Sequence, residues 1–168
     1  MKKTIVVLAV IICILSLNKQ EMVRIPKESI RLRVIANSNQ KEDQRIKREI
    51  VKNLSPELEA IYKFQTIEET RNYLQKSLPT FEKIVENTLQ NQNKESSFHI
   101  NYGKNIFPEK EYKGVIYEEG DYESLVVTLG NGEGENFWCV LFPPICFLEE
   151  QDKVEYKSFV KEIIDKYF

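Results

Sequence analysis

Residues 136–147 read Asn-Phe-Trp-Cys-Val-Leu-Phe-Pro-Pro-Ile-Cys-Phe and follow a glycine-rich turn, Gly130-Asn-Gly-Glu-Gly134. Six apolar residues in succession, bounded by turn signals, predict a strand that is buried on both faces. Pro143 and Pro144 end it, because proline cannot donate a hydrogen bond to a strand ladder. A run this apolar is either the centre of the core or a surface that meets a partner, and composition alone does not decide between them.

A second strand and a helix are predicted upstream of this stretch. Ile30-Arg-Leu-Arg-Val34 alternates apolar and basic residues, which is typical of a half-buried strand. Asn39, with Glu42 three residues later, has the spacing of a capping box at the start of a helix over about 40–54. Ser55-Pro56 predicts that a short new helix begins there.

Two further helices are predicted from caps and periodicity. Thr66 and Glu69 form another capping-box pattern, and the helix after them is expected to be interrupted at Pro79. Apolar residues at helical spacing between Tyr156 and Tyr167 predict a closing amphipathic helix.

Alternation with a period of two predicts a strand from Phe98 to Tyr102. The run Leu125-Val-Val-Thr-Leu129, rich in residues that favour strands, predicts another over 122–129. The glycine turn joins the latter to Phe137–Phe142, most simply as an antiparallel hairpin. The order of elements predicts an α+β fold. In it, a mostly antiparallel sheet has helices packed on one face, and an amphipathic helix closes the chain.

The amino terminus predicts export. Lys2 and Lys3 precede an uncharged apolar segment, Thr4 to Leu17, which is shorter than the roughly 20 residues of a relaxed membrane span. Residues 1–17 are therefore interpreted as an export signal. Cleavage of this signal and its retention as a short membrane anchor both remain open, and membrane contact is expected to be transient and limited to residues 4–17.

The remainder, residues 22–168, is predicted to form a single domain, because its length suits one hydrophobic core. The formal net charge of the chain is −2 with both signs interspersed, which gives no basic footprint for nucleic acid. His99 is the only histidine, so neither a zinc site nor a Ser-His or Cys-His catalytic pair is predicted, and no cofactor is expected.

A polar group follows the first strand: Asn37, Ser38, Asp43, Gln44 and Lys47. One interpretation is an enzyme in which Asp43 acts as a base beside Asn37 or Ser38. The other is a capped helix start with an ion pair between Asp43 and Lys47 on one helix face. These five residues are also candidates for contact with a partner protein.

Cys139 and Cys146 are the only cysteines beyond the export signal, and an even number permits a bridge. The two adjacent prolines between them favour a chain reversal that brings the sulfurs together. Two buried free thiols are the alternative.

Trp138, Phe142 and Phe147 are further candidates for partner binding, because tryptophan is over-represented among binding hot spots. Alternating side chains of a strand point to opposite faces, so part of this aromatic set is expected at the surface.

Four segments taken together resemble the stage II sporulation protein R family. They are Ile35–Lys47, Phe107-Pro-Glu-Lys110, Gly120-Asp-Tyr122 and Gly130–Cys146. The resemblance to the family extends over about residues 25–150. Phe137 stands where the family often has a second tryptophan, and Asn39 stands where aspartate is common.

The resemblance implies signalling during sporulation, with no enzymatic activity of the chain itself. Such proteins are exported across the forespore membrane into the space between the two cells. There they are expected to activate a membrane-embedded aspartic protease, which then processes the precursor of the mother-cell sigma factor, sigma-E. A cell-envelope hydrolase or transferase using Asp43 with Asn37 is the alternative, and a passive wall-binding module is a third possibility.

Overall fold

The computed structural model describes residues 22–92, 97–146 and 156–168. The predicted export signal, residues 1–17, lies outside this range. Within the described residues, no helix is both long and apolar enough to cross a membrane.

The described chain contains seven strands, three α-helices and one 3₁₀-helix over Glu59–Lys63. The helices are α1 (Lys41–Leu58), α2 (Ile67–Asn91) and α3 (Tyr156–Tyr167). The strands are β1 (Val23–Arg24), β2 (Ile30–Ile35), β3 (Phe98–Phe107), β4 (Lys110–Tyr112), β5 (Val115–Tyr117), β6 (Gly120–Leu129) and β7 (Asn136–Phe142). The predicted α+β class and the closing helix are confirmed.

The main sheet has four strands in the order β3-β6-β2-β7. β3 runs antiparallel to β6, and β7 runs antiparallel to β2, whereas β2 and β6 are parallel. Leu32 of β2 lies between Leu125 of β6 and Cys139 of β7, which fixes the register across the centre. A smaller sheet, β1-β5-β4, lies beside it.

The predicted hairpin between β6 and β7 is wrong, because β2 lies between the two strands. The glycine turn passes over the end of β2, where Gly134 N–H donates to the Ala36 carbonyl and Glu133 N–H donates to the Asn37 carbonyl. These bonds to the chain after β2 carry β7 to the opposite side of β2.

β7 is consequently an edge strand of the main sheet. The prediction that it is buried on both faces is wrong for its first half, since Asn136 to Cys139 are partly exposed. Its second half, Val140 to Phe142, is buried. The apolar run therefore contributes both to the core and to a surface.

The main core lies between one face of this sheet and helices α1 and α2. Ile30, Leu32 and Val34 of β2 point into it, as their alternation predicts. They meet the helical stripe predicted for α1, Ile46, Ile50 and Leu54. The helices thus cover one face, as expected.

The opposite face of the sheet meets the small sheet and α3 in a second apolar cluster. Its buried members are Val23, Ile25, Val115, Val140, Ile145 and Val160. Because α3 contributes Val160 here while its Tyr167 packs on the main core, this helix joins the two clusters.

Contrary to the predictions, neither Pro56 nor Pro79 interrupts its helix. α1 continues through Pro56 to Leu58, and α2 continues through Pro79 to Asn91. Both prolines are exposed, and so are Lys52 and Gln75, which lie four residues earlier. Water can therefore satisfy the carbonyls that lose their helical partner.

The two predicted capping boxes have different outcomes. The Thr66–Glu69 box is present with both reciprocal bonds. The Asn39–Glu42 box is wrong, because Gln40 is the N-cap residue and no side chain caps the helix. Asn39 Oδ1 instead accepts a hydrogen bond from the Glu135 amide at 2.7 Å, on the far side of the glycine turn.

One partly buried ion pair fastens α2 to the sheet. Arg71 donates through Nε and Nη2 to the two oxygens of Glu123, at 2.7 and 2.8 Å. The Tyr102 hydroxyl donates to the same carboxylate at 2.6 Å. The bonds from Arg71 lower the pKa of Glu123, so this pair is charged at neutral pH.

The path of the glycine turn should depend on the absence of a side chain at Gly134. A Cβ there would lie 2.3 Å from the Ser38 backbone oxygen, whereas at Gly103 in β3 its nearest neighbour is 3.9 Å away. Gly134→Ala should lower the free energy of unfolding by about 1–3 kcal/mol in urea denaturation. Gly103→Ala is the matched control, and an equal effect of the two substitutions would contradict the tight approach.

Candidate functional site

The five polar residues predicted as a group do form one cluster, at the end of β2 and the start of α1. Asn37 is its centre: its Nδ2 donates to Asp43 Oδ2 at 2.8 Å, and its Oδ1 accepts from the Asn131 amide at 2.9 Å. The Ser38 hydroxyl donates to the same Asp43 oxygen at 2.7 Å. We refer to Asn37, Ser38, Asp43, Gln44 and Lys47 as the polar cluster.

The other end of the polar cluster reaches the last residue of the turn. Gln44 Nε2 donates to the Ser38 carbonyl at 3.0 Å. The Lys47 ammonium donates to Gln44 Oε1 at 2.7 Å and to the Glu135 carbonyl at 2.8 Å. Together with the bonds of Asn37, these contacts hold the whole turn between β6 and β7 against α1.

The polar cluster is more buried than a surface ion pair would be. Asp43 is 5% exposed and Lys47 is 7% exposed, and desolvation lowers the pKa of the Lys47 ammonium. Asp43 and Lys47 thus lie within the protein and not on the outer face of the helix. The hydrogen bonds give these residues a stabilising role, while contact with a partner stays a prediction for them.

A groove runs along the free edge of β7, with a volume of about 790 Å³. One wall is α1, and the other is formed by the segment after β3 together with the small sheet and the start of α3. Its lining includes Arg31, Arg48, Val51, Lys52, Ser55, Glu59, Phe107, Pro108, Glu109, Lys110, Tyr112, Tyr117, Asn136, Phe137, Trp138, Cys139, Val140, Ile145 and Tyr156.

The backbone of β7 alternates between pairing with β2 and facing this groove. The Glu135 carbonyl accepts from Ala36, so odd-numbered residues of β7 face β2. The Val140 carbonyl instead accepts from the amides of Ile145 and Cys146, so even-numbered residues face away from β2. The backbone N–H and C=O groups of Asn136 and Trp138 therefore point into the groove.

The three aromatic candidates have different positions. Trp138 lines the groove, with its ring 5.0 Å from that of Phe107 in an edge-on arrangement and the Arg33 guanidinium over its face at 4.6 Å. Phe142 is 3% exposed and packs against Tyr167, so it belongs to the core and we do not retain it as a contact residue. Phe147 lies outside the described residues.

Arg31 is a groove residue that the sequence did not single out. The alternation predicted a half-buried strand with outward-pointing basic residues, but Arg31 is only 3% exposed. Its guanidinium lies 3.3 Å from the centre of the Tyr122 ring and 5.3 Å from that of Phe107. Burial lowers its pKa. The aromatic residues that stack on it lie about 75–90 positions away, so no local pattern could reveal this.

A disulfide fixes the end of β7. Cys139 Sγ and Cys146 Sγ are bonded at 1.98 Å, with 5.5 Å between the Cα atoms. Together with the hydrogen bonds to the Val140 carbonyl, it closes a tight turn at Pro143-Pro144. We refer to this turn, residues 140–146, as the disulfide return. Pairing beyond Val140 is thereby blocked, and the open part of the edge is limited to its first half.

The described residues contain no group of three or more His, Cys, Asp or Glu side chains that could hold a metal ion. His99 is exposed on β3, which lies at the opposite edge of the sheet from β7. The groove offers backbone groups, aromatic faces and charges, which are means of binding a polypeptide.

If the polar cluster holds the turn, removing its acceptor should destabilise the fold. Asp43→Ala leaves the Asn37 amide and the Ser38 hydroxyl without their common acceptor. We expect a loss of about 1–3 kcal/mol in the free energy of unfolding, measured with urea. Asp165→Ala, at an exposed position of α3, should change it by less than about 0.5 kcal/mol. Equal effects would show that the cluster does not hold the turn.

Comparison with known proteins identifies the family. The family model "Stage II sporulation protein R" matches residues 26–152, which include the whole polar cluster and all of β7. The Stage II sporulation protein R of Bacillus subtilis (strain 168) is 35% identical, over 98% of this chain and 84% of that protein. No solved structure matches the chain significantly. The chain belongs to the stage II sporulation protein R family and acts in sporulation.

Proposed function

We propose that this protein is an exported signal that activates a membrane-embedded aspartic protease and so triggers processing of the sigma-E precursor in the mother cell. Family membership over residues 26–152 is the observation that carries the proposal. In this scheme the protein crosses the forespore membrane and acts in the space between the two cells, and residues 1–17 direct its export.

The structure supports a binding role through the groove along β7. A protein ligand activates an enzyme only if it binds the active conformation, or the active dimer, better than the inactive form. A rigid surface is suited to that task, because little ordering entropy is then lost on binding. The groove floor is held by the Cys139–Cys146 bond at one end of β7 and by the polar cluster at the other.

Activation requires a large difference in binding affinity between the active and inactive forms of the protease. Moving a protease from about 1% to 99% active requires roughly 10⁴-fold tighter binding to the active form. A single exposed side chain does not supply so large a difference, whereas backbone pairing combined with an aromatic contact can. Trp138 and the neighbouring free edge offer both.

The test is reconstitution in a non-sporulating host that produces the membrane protease and the sigma-E precursor. Full-length protein should cause shortening of the precursor on an immunoblot, and a version lacking residues 1–17 should cause none. A third strain without the protease controls for cleavage by host enzymes.

Shortening that requires both the protease and residues 1–17 would support an extracytoplasmic activating ligand. Absence of shortening, with exported and folded protein demonstrated, would contradict the proposal. Turnover of a wall substrate that is lost in Asp43→Asn would then point to the envelope hydrolase. Binding to isolated sacculi without turnover would point to the wall-binding module.

A further inference from the structure

The first half of β7 is an unprotected sheet edge. Among the described residues, no strand pairs with its outer side, and the outward backbone groups of Asn136 and Trp138 take no part in the hydrogen bonds of the surrounding turns. Proteins commonly cover, bend or charge such an edge, because an open edge recruits other strands. Here the disulfide return covers only the Val140 end.

The groove walls suit an extended chain beside this edge. Strands in a sheet lie about 4.8 Å apart, so an added strand would occupy the space between β7 and the two walls. The partly exposed side chain of Val51 in α1 lies on one side of that space, and that of Tyr156 lies on the other. An added strand would therefore have apolar surface for alternate side chains on both of its faces.

The charges of the groove favour an acidic occupant. Its basic lining residues are Arg31, Arg48, Lys52 and Lys110, and its acidic ones are Glu59 and Glu109. All of these except Arg31 are exposed, so the exposed part of the lining carries three positive and two negative charges. Such a surface attracts an acidic peptide more strongly than a basic one.

Three buried polar atoms on two residues of the groove lining lack hydrogen-bond partners, although Arg31 Nη1 donates to the Glu118 carbonyl at 3.4 Å. Arg31 is buried, yet its Nε and Nη2 atoms have no hydrogen-bond partner in the described structure, and neither does the buried Oδ1 of Asn136. A buried polar group without a partner is costly. Asn136 lies on the open edge of β7, and Arg31 lies on the adjacent strand β2, opposite Val140. Both line the groove, into which an added chain would bring hydrogen-bonding groups and negative charge.

We propose that an extended, acidic segment of the partner adds as a strand to the free edge of β7, pairing with the backbone of Asn136 and Trp138. Strand addition gives affinity through main-chain bonds and specificity through pockets for alternate side chains. The segment lies between α1 and Phe107. The inference rests on the proposed function, since the partner is the membrane protease.

Photo-crosslinking in the reconstituted host tests this contact with the full-length protein. Benzoylphenylalanine is placed at position 52 or 109 on the groove rim, and at position 76 on the exposed face of α2 as the control. Cross-links to the protease are expected from positions 52 and 109 and not from 76. Mass spectrometry should map them to an acidic extracytoplasmic segment.

The outcomes separate this inference from the proposed function. Precursor shortening with protease cross-links from position 76 alone, or from none of the three positions, would overturn the docking site and leave the activation intact. Cross-links from the rim to a second copy, or to residues 147–155 of the same chain, would overturn the assignment of the occupant. Absence of both shortening and protease cross-links would overturn both proposals.

Substitutions test the backbone and charge contributions separately. Asn136→Pro removes an outward amide while leaving the bonds to β2 in place, so cross-linking from position 52 should be at least about tenfold weaker than in Asn136→Ala. Equal cross-linking in the two variants would overturn strand addition.

For the charges, Arg48→Glu with Lys52→Glu is compared with Lys76→Glu and Lys83→Glu, which change the net charge equally on α2. Here the cross-linker is placed at position 109. The groove pair should reduce cross-linking about tenfold, and the control pair should change it less than twofold. Equal effects would overturn the choice of an acidic partner.

Discussion

The hydrogen bonds between the polar cluster and the glycine turn decide how the sheet is arranged. Asn37 binds the Asn131 amide, and Lys47 binds the Glu135 carbonyl, so both ends of the turn are held where β2 gives way to α1. A short turn between two strands would otherwise close a hairpin. Because the turn is drawn across β2, β7 pairs with β2 and becomes the edge strand.

That edge is the surface on which the proposed strand addition depends. The disulfide return closes the Val140 end of β7, while Asn136 and Trp138 keep outward backbone groups beside an aromatic and basic groove. If β7 formed a hairpin with β6, it would lie between β6 and β2. The strand at the edge of the sheet would then be β2. In the proposed mechanism, the polar cluster contributes through the position of β7 and does not have to touch the partner.

Periodicity and caps predicted much of the secondary structure from sequence. The Thr66–Glu69 capping box and the alternation of Ile30, Leu32 and Val34 depend on neighbours in the chain, and the structure contains both features. The pairing of β7 was not predictable in this way, because it depends on Asn37 meeting a turn more than 90 residues later. The helix breaks at Pro56 and Pro79 failed because exposure to water, which a local pattern does not specify, makes each proline tolerable.

The candidate site was predicted only in part. The polar cluster was recognised as a group because its members are close in sequence, but its link to the glycine turn was not. Arg31 and the α1 wall were missed, since their place in the groove comes from packing against Phe107, Tyr122 and β7. Trp138 was identified from its residue type, and its outward backbone groups became evident only with the strand order.

Residue-resolved amide hydrogen exchange of the free protein tests the open edge most directly. The amides of Phe137 and Cys139 face β2 and should be protected, whereas those of Asn136 and Trp138 should exchange at least about a hundredfold faster. Equal protection of all four amides in the free protein would show that the edge of β7 is already covered, which would contradict the account.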